Sequence, residues 1–281
     1  KKARIEYAAE MYTFCSDDTT NLYIATAASA IPSLNTSPRK CTIFISDTEL
    51  RNVLQGNQLQ QTGNETQMLH FYEPFGPEAT NLIIDALPLD HEGIGPDDPC
   101  SVHLVIMGFG IMGRTIATKA AQLGRFANRK KLRISVIDRY AEMHKQYLLF
   151  HHPYISDVAE FRFYQQEVLS PDTRSLLSAA SGEPHVLLNV VICFDNPAVV
   201  FDVVFNLLPV LNKPGIRVGV RLHESESFSF MLRGAIDTYK NLNLCVFGMD
   251  SQIGEFLRIS ASETEAFARA VHQAHFRLQH Q

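Results

Sequence analysis

Val102-His-Leu-Val-Ile-Met-Gly108-Phe-Gly110-Ile-Met-Gly113 joins a short apolar run to three glycines in the spacing GxGxxG. The run before Gly108 reads as a strand buried on both faces. Arg114–Leu123 then puts Ile116, Ala117, Ala120 and Leu123 on one helical face, and Gly124 stops the helix. Leu132–Ile137 is a second strand, and it ends at Asp138, 25 residues beyond Gly113 (138 − 113). A lone GxGxxG is a weak signal. Here it follows a buried strand, opens a helix and is trailed by an acid at the next strand end, which is the context its mechanics require.

Outward from this core the same alternation continues. Glu142–Phe150 reads as a short helix and Phe161–Tyr164 as a weak strand. Val186–Phe194 is a strong strand, Ala198–Leu211 a helix, Ile216–Leu222 a strand, Glu224–Arg233 a helix and Leu242–Gly248 a last strand. Strands alternating with helices predict an α/β fold, a Rossmann-like doubly wound parallel sheet, over residues 101–260. The segment from Leu87 to Pro99 carries three prolines, two glycines and four acids, so it reads as a linker (87–100) after an N-terminal lobe (1–86).

That lobe repeats the back half of the main domain. Tyr12-Thr-Phe-Cys-Ser-Asp-Asp-Thr19 parallels Val190-Val-Ile-Cys-Phe-Asp-Asn-Pro197. The strands ending near Ile45 and Phe71 parallel those ending near Leu222 and Phe247, with offsets of 178 (193 − 15), 177 (222 − 45) and 176 (247 − 71). The lobe is therefore predicted to be a half-domain of the same kind. Half a parallel sheet leaves an edge and apolar helix faces to cover, which predicts a dimer or larger homo-oligomer.

Composition narrows the function classes. Lys+Arg 25 against Asp+Glu 30 gives a net charge of −5, without the basic stripe expected of a general nucleic-acid binder. The longest apolar runs are interrupted well short of the roughly 18 residues of a membrane span, and no signal-peptide pattern is visible. Five cysteines with no CxxC pair read as reduced thiols in a cytoplasmic setting. A start at Lys1-Lys2-Ala3 suggests a piece of a longer protein.

The chemistry concentrates at the strand ends. Gly108 permits the tight turn, Gly110 lets backbone approach a pyrophosphate, and Gly113 lets helix pack on strand. The backbone of Phe109, Ile111 and Met112 completes a loop whose N–H groups and helix dipole suit phosphates. Asp138 would accept from ribose hydroxyls and disfavour a 2′-phosphate, so NAD or NADH is expected, with ATP, ADP or AMP as the alternative. Arg139 beside it would tolerate a phosphate or stack on adenine. Phe194, Asp195, Asn196 and Arg221 form a second cluster. Asn196-Pro197 is equally a helix start, and Arg221 either grips a phosphate or pairs with Glu224 or Glu226. His151-His152 diverge, and His272 and His275 lack supporting ligands, so no metal site is expected. No GxSxG, Walker-type GKS/GKT or Cys/His pair near the glycine loop supplies a catalytic set.

Val105-Ile-Met-Gly-Phe-Gly-Ile-Met-Gly-Arg-Thr-Ile-Ala117, Val136-Ile-Asp138, Phe194–Val200 and Val218–Leu222 resemble the TrkA-N module, also called the KTN or RCK domain. Asp17-Asp-Thr-Thr-Asn-Leu-Tyr-Ile-Ala25 and Ile45–Arg51 resemble its later strand-to-helix turns, so the resemblance covers nearly residues 1–260 as one and a half modules. It implies a nucleotide-binding regulatory unit that dimerises or forms rings and gates ion channels or transporters, including those of potassium. Glu263–Gln279 resembles the opening helix of a RyR domain, with an ordinary amphipathic C-terminal helix (residues 261–281) as the alternative. The expectation is a cytoplasmic nucleotide-sensing region of a larger membrane-associated protein. The rival is an NAD-dependent oxidoreductase with His223 as its proton-handling group.

Overall fold

A computed structural model describes residues 5–15, 17–31, 39–60, 67–222, 232, 234 and 239–248. His223, most of the expected helix over Glu224–Arg233, His272, His275 and the C-terminal tail lie outside them. The chain divides into two compact units, one holding the described residues up to Pro74, the other Phe75–Met249.

The first unit runs β1 (Glu10–Thr13), α1 (Asp18–Ser29), β2 (Arg39–Phe44), α2 (Thr48–Gln60) and β3 (Gln67–Tyr72), with the strands parallel in the order β1-β2-β3. Ala25, Cys41, Ile43, Ile45 and Phe71 form its core. Asp17 caps α1 by accepting from the Thr20 N–H. The neighbouring Asp18 carboxylate accepts from the Ser46 N–H and Oγ–H and from the Asp47 N–H, tying α1 to the turn after β2.

The second unit opens with α3 (Phe75–Asn81) and one π turn (Leu82–Ala86). β4 (Ser101–Met107), α4 (Ile111–Leu123), β5 (Leu132–Asp138), α5 (Ala141–His151), α6 (Ile155–Val158) and β6 (Ala159–Gln165) follow. α7 (Pro171–Gly182), β7 (Val186–Ile192), α8 (Pro197–Leu211), β8 (Ile216–Arg221) and β9 (Asn243–Phe247) complete it. All six strands are parallel in the order β6-β5-β4-β7-β8-β9. That is the doubly wound order whose direction reverses between its first and fourth strands, here β4 and β7. Val105, Met107, Ile137, Val190, Ile192, Val218 and Val220 of one sheet face pack on Leu177 and Ala180 of α7 and on Val200, Val203, Val204 and Leu207 of α8. Each such side chain contributes roughly 1.5–3 kcal/mol by leaving water.

The Rossmann-like architecture is thus as expected, with three differences. α7 does not appear in the sequence reading, although Ser170 caps it through the Thr173 N–H and Pro171 occupies its first turn. The repeat is real in topology, but with β2 matched to β8 its first and third registers each differ by one residue. Ile43 opposite Phe71 matches Val220 opposite Val246, an offset of 175 (246 − 71) rather than 176. Met11 opposite Cys41 matches Val190 opposite Val218, an offset of 179 (190 − 11), and the caps Asp17 and Asn196 share it (196 − 17). Pairing alternates faces, so matching Cys15 to Cys193 would have put outward residues on inward positions.

The third difference is the boundary, which falls at Pro74 rather than residue 86. α3 packs on α4, and a Cβ on Gly219 of β8 would meet Leu82 and Leu87 at 3.4 Å. The segment expected to be a linker is a strap on the sheet. Leu87 and Leu89 are buried. Asn189 of β7 donates to the Leu89 carbonyl at 3.0 Å, and Arg217 of β8 donates to the Pro88 carbonyl at 3.3 Å. Proline and glycine forbid regular structure there, but polar side chains from two strands supply the partners the strap's carbonyls need.

One buried and one half-buried histidine set an acid limit. Burial pushes His103, whose Nε2 lies 2.8 Å from Ser135 Oγ, from 6.5 down to about 4, with the Arg133 charge adding to the effect. Burial and then Arg217 also lower His91. A lowered histidine pKa means the unfolded chain binds protons that the folded chain refuses. Stability is therefore full above pH 6.5 and falls as pH drops towards 4, by up to about 1.4 kcal/mol per pH unit from His103. Urea midpoints should decline steadily from pH 7 to pH 5, and less steeply in His103→Gln. A flat midpoint in the wild-type chain would contradict this assignment.

Candidate functional site

The residues singled out at the strand ends converge on one edge of the six-stranded sheet. β4 delivers the chain to Gly108, whose φ of +85° suits glycine and whose N–H donates to the Ile137 carbonyl. A Cβ there would meet the Phe194 ring at 3.0 Å and the Cys193 carbonyl at 3.1 Å. Phe194, beyond β7, thus lies against the loop at the β4/β7 switch point. Phe109 points inward, fully buried, with its ring edge-on to Phe163 at 5.8 Å and to His144 at 6.0 Å. It anchors the loop.

Gly110 is the N-cap of α4 and is exposed, with nothing within 4 Å of a Cβ built on it. No side chain caps this helix. The Ile111, Met112 and Gly113 N–H groups open a first turn that has no intrahelical acceptors. Ile111 is 39% exposed, whereas the Met112 side chain is buried. A Cβ on Gly113 would fall against the Gly108 carbonyl oxygen, far inside contact distance. α4 can lie this close to β4 only without a side chain there.

Asp138 closes the loop from β5. Its Oδ2 accepts from the Phe109 N–H at 2.8 Å and its Oδ1 from the Tyr140 N–H at 2.7 Å. Its side chain is 12% exposed, and His144 Nε2 lies 3.8 Å from Oδ1. Burial holds the His144 pKa below its ordinary value; Asp138 opposes that shift and Arg114 adds to it. The carboxylate has one backbone bond on each oxygen, which leaves lone pairs for a further donor. Arg139 points to solvent and pairs with Glu167 at 3.3 Å, both more than half exposed, a geometry worth little energy.

On the far side of the switch point, Asn196 caps α8 by accepting from the Ala198 N–H at 2.9 Å. Asp195 is exposed, and its Oδ1 meets Arg221 Nη1 at 2.5 Å. Arg221, at the end of β8, is 5% exposed with its guanidinium over the Phe75 ring at 5.8 Å. Asp195 is thus one partner of Arg221, while Glu224 and Glu226, the partners expected from the sequence, lie outside the described residues. One basic group is therefore fixed near the switch point by an acid and an aromatic face.

His144 and Phe163 are the parts of this site that the sequence reading passed over as helix and strand residues, whereas Phe194 was already placed with Asp195, Asn196 and Arg221. Only the sheet order brings them to the loop. Two polar grooves, of about 540 and 370 Å³, lie at the opposite, N-terminal edge of the strands, around Arg133 and Arg217. Among the described residues no His, Cys, Asp or Glu cluster is placed to hold a metal, and no helix is long and apolar enough to cross a membrane. The chain matches no protein-family model and no curated protein.

The glycines separate structure from binding. Gly113→Ala should cost about 1–3 kcal/mol, because its methyl group meets backbone that cannot move aside. Gly110→Ala should stay within about 0.5 kcal/mol of the wild type, since its site is open. Chemical denaturation of both variants checks this, and equal losses would contradict the loop geometry.

Proposed function

We propose that this chain is a nucleotide-sensing regulatory region, with NAD or NADH held at the glycine loop of the Phe75–Met249 unit. ATP, ADP or AMP is the alternative ligand. The observation that carries the reading is Gly110: an exposed glycine with open space beside it, at the uncapped N-terminus of a 13-residue helix, next to a switch point. Helix N-termini at such points favour phosphate through unpaired N–H groups and the positive end of the dipole. The N–H groups of Ile111, Met112 and Gly113 would hold the pyrophosphate. Asp138 would turn its remaining lone pairs to the ribose, with Arg139 and Tyr140 flanking the adenosine. Asp195, Asn196 and Arg221 face the other half of the ligand.

A regulatory role is supported by the rest of the chain. Its other unit holds a second, three-stranded parallel sheet of similar kind. His144 is half-buried and engaged with the loop, so it is poorly placed for proton transfer to a substrate. The resemblance to TrkA-N modules points the same way, towards a homo-oligomeric cytoplasmic part of an ion channel or transporter. Ligand would act by binding one arrangement of the protein better than another.

Calorimetry on the full chain tests the reading. NADH or an adenine nucleotide should bind in the micromolar range, about −8 kcal/mol. Gly110→Val should abolish binding without lowering the melting temperature. No heat with NAD, NADH, ATP, ADP or AMP would refute it, and steady NADH oxidation with oxo acids or aldehydes would favour the oxidoreductase.

A further inference from the structure

The least explained surface of the second unit is on α5. Tyr140 at the N-cap and Met143, Tyr147 and Phe150 on the helix recur at spacings of three and four, and Tyr154 is the N-cap of the short helix α6 beyond the break at His152. They are exposed by 55%, 59%, 38%, 82% and 78%. Such a repeat is the pattern of a helix–helix seam. The helix fully buries only Ala141 and Leu148; the Tyr147 ring also packs on His151 at 4.2 Å, while Met143 and Phe150 stay mostly in solvent. Arg114 of α4 covers one face of the Tyr147 ring, with its guanidinium 4.2 Å from the ring centre.

We infer that this stripe is a two-fold interface with a second copy of the chain, α5 packing antiparallel on α5. Three observations favour a second copy over another partner. No stripe position carries a charge, so the surface is complementary to itself rather than to an acidic or basic partner. The residue types, Tyr, Phe and Met with a flanking Arg, are those enriched at the centres of protein interfaces. At roughly 150–250 Å² per large side chain, the exposed part amounts to on the order of 600 Å² per copy. A two-fold pair would then bury about 1,200 Å², the lower bound for a specific stable interface. The same helix presents His144 to Phe109 and Asp138, so the interface backs directly onto the glycine loop. The inference goes beyond the nucleotide reading and does not depend on it.

Sedimentation of the full chain tests it, without added ligand. The wild type should be dimeric at about 50 μM, and Phe150→Glu with Tyr154→Glu should weaken the dimer by about 100-fold or more, because it buries charge at the seam. The double variant should melt as the wild type does, both positions being exposed. Gln146→Cys should cross-link copy to copy above the wild-type background, while Asp172→Cys on α7 should not. A double variant as dimeric as the wild type would overturn the proposal, and so would a monomeric wild type. A monomer whose double variant melts several degrees lower would identify the occupant as another part of the same chain.

Discussion

α4 lies so close to the end of β4 that the Gly108 carbonyl oxygen occupies the place of a side chain at position 113. Everything at the sheet edge depends on that approach. It sets the direction in which α4 leaves the strand, points its first N–H groups at the β4/β7 switch point and leaves Gly110 outermost. A left-handed Gly108 makes the turn tight enough, and Phe109 locks it by burying its ring between Phe163 and His144. The loop is rigid because three independent constraints, steric, conformational and apolar, meet within six residues.

The polar groups around it are arranged to keep that loop open. Asp138 holds the Phe109 and Tyr140 N–H groups, so the acid stabilises the loop. Asn196 satisfies the start of α8, and Asp195 engages the guanidinium of Arg221. Charges and caps on both sides are accounted for, while the start of α4 receives no side-chain cap. The contrast between two helices on the same edge, α8 capped and α4 uncapped, distinguishes a structural terminus from one suited to an anion.

The alternation of apolar runs and helical spacing from Val102 to Phe247 was legible because parallel strands buried on both faces are nearly continuous in Val, Ile and Leu. The glycine loop was legible because each of its glycines answers to a steric demand. What escaped the sequence was set by partners distant along the chain. The strap over 87–100 looked like a linker because its support comes from Asn189 and Arg217, about 100 residues away. The one-residue shifts in the repeat were invisible because the letters favour the other register, setting Cys15 and Asp17 on Cys193 and Asp195, and only strand pairing fixes which side chains face inward. Arg221 meets Asp195 because β7 and β8 are neighbours in the sheet, a proximity that no spacing in the sequence shows. α7 was missed despite a serine cap and a first-turn proline, because its outward face is polar and its apolar spacing short.

The central claim is that a nucleotide sits against the start of α4. Titrating isotope-labelled protein with NADH while following backbone amide resonances tests it most directly. The account predicts that Gly110, Ile111, Met112 and Gly113 shift first and most, with Tyr140 and Asp195 following. Shifts confined to the opposite edge, around Arg133 and His185 or around His91 and Arg217, with the α4 amides unmoved, would contradict it.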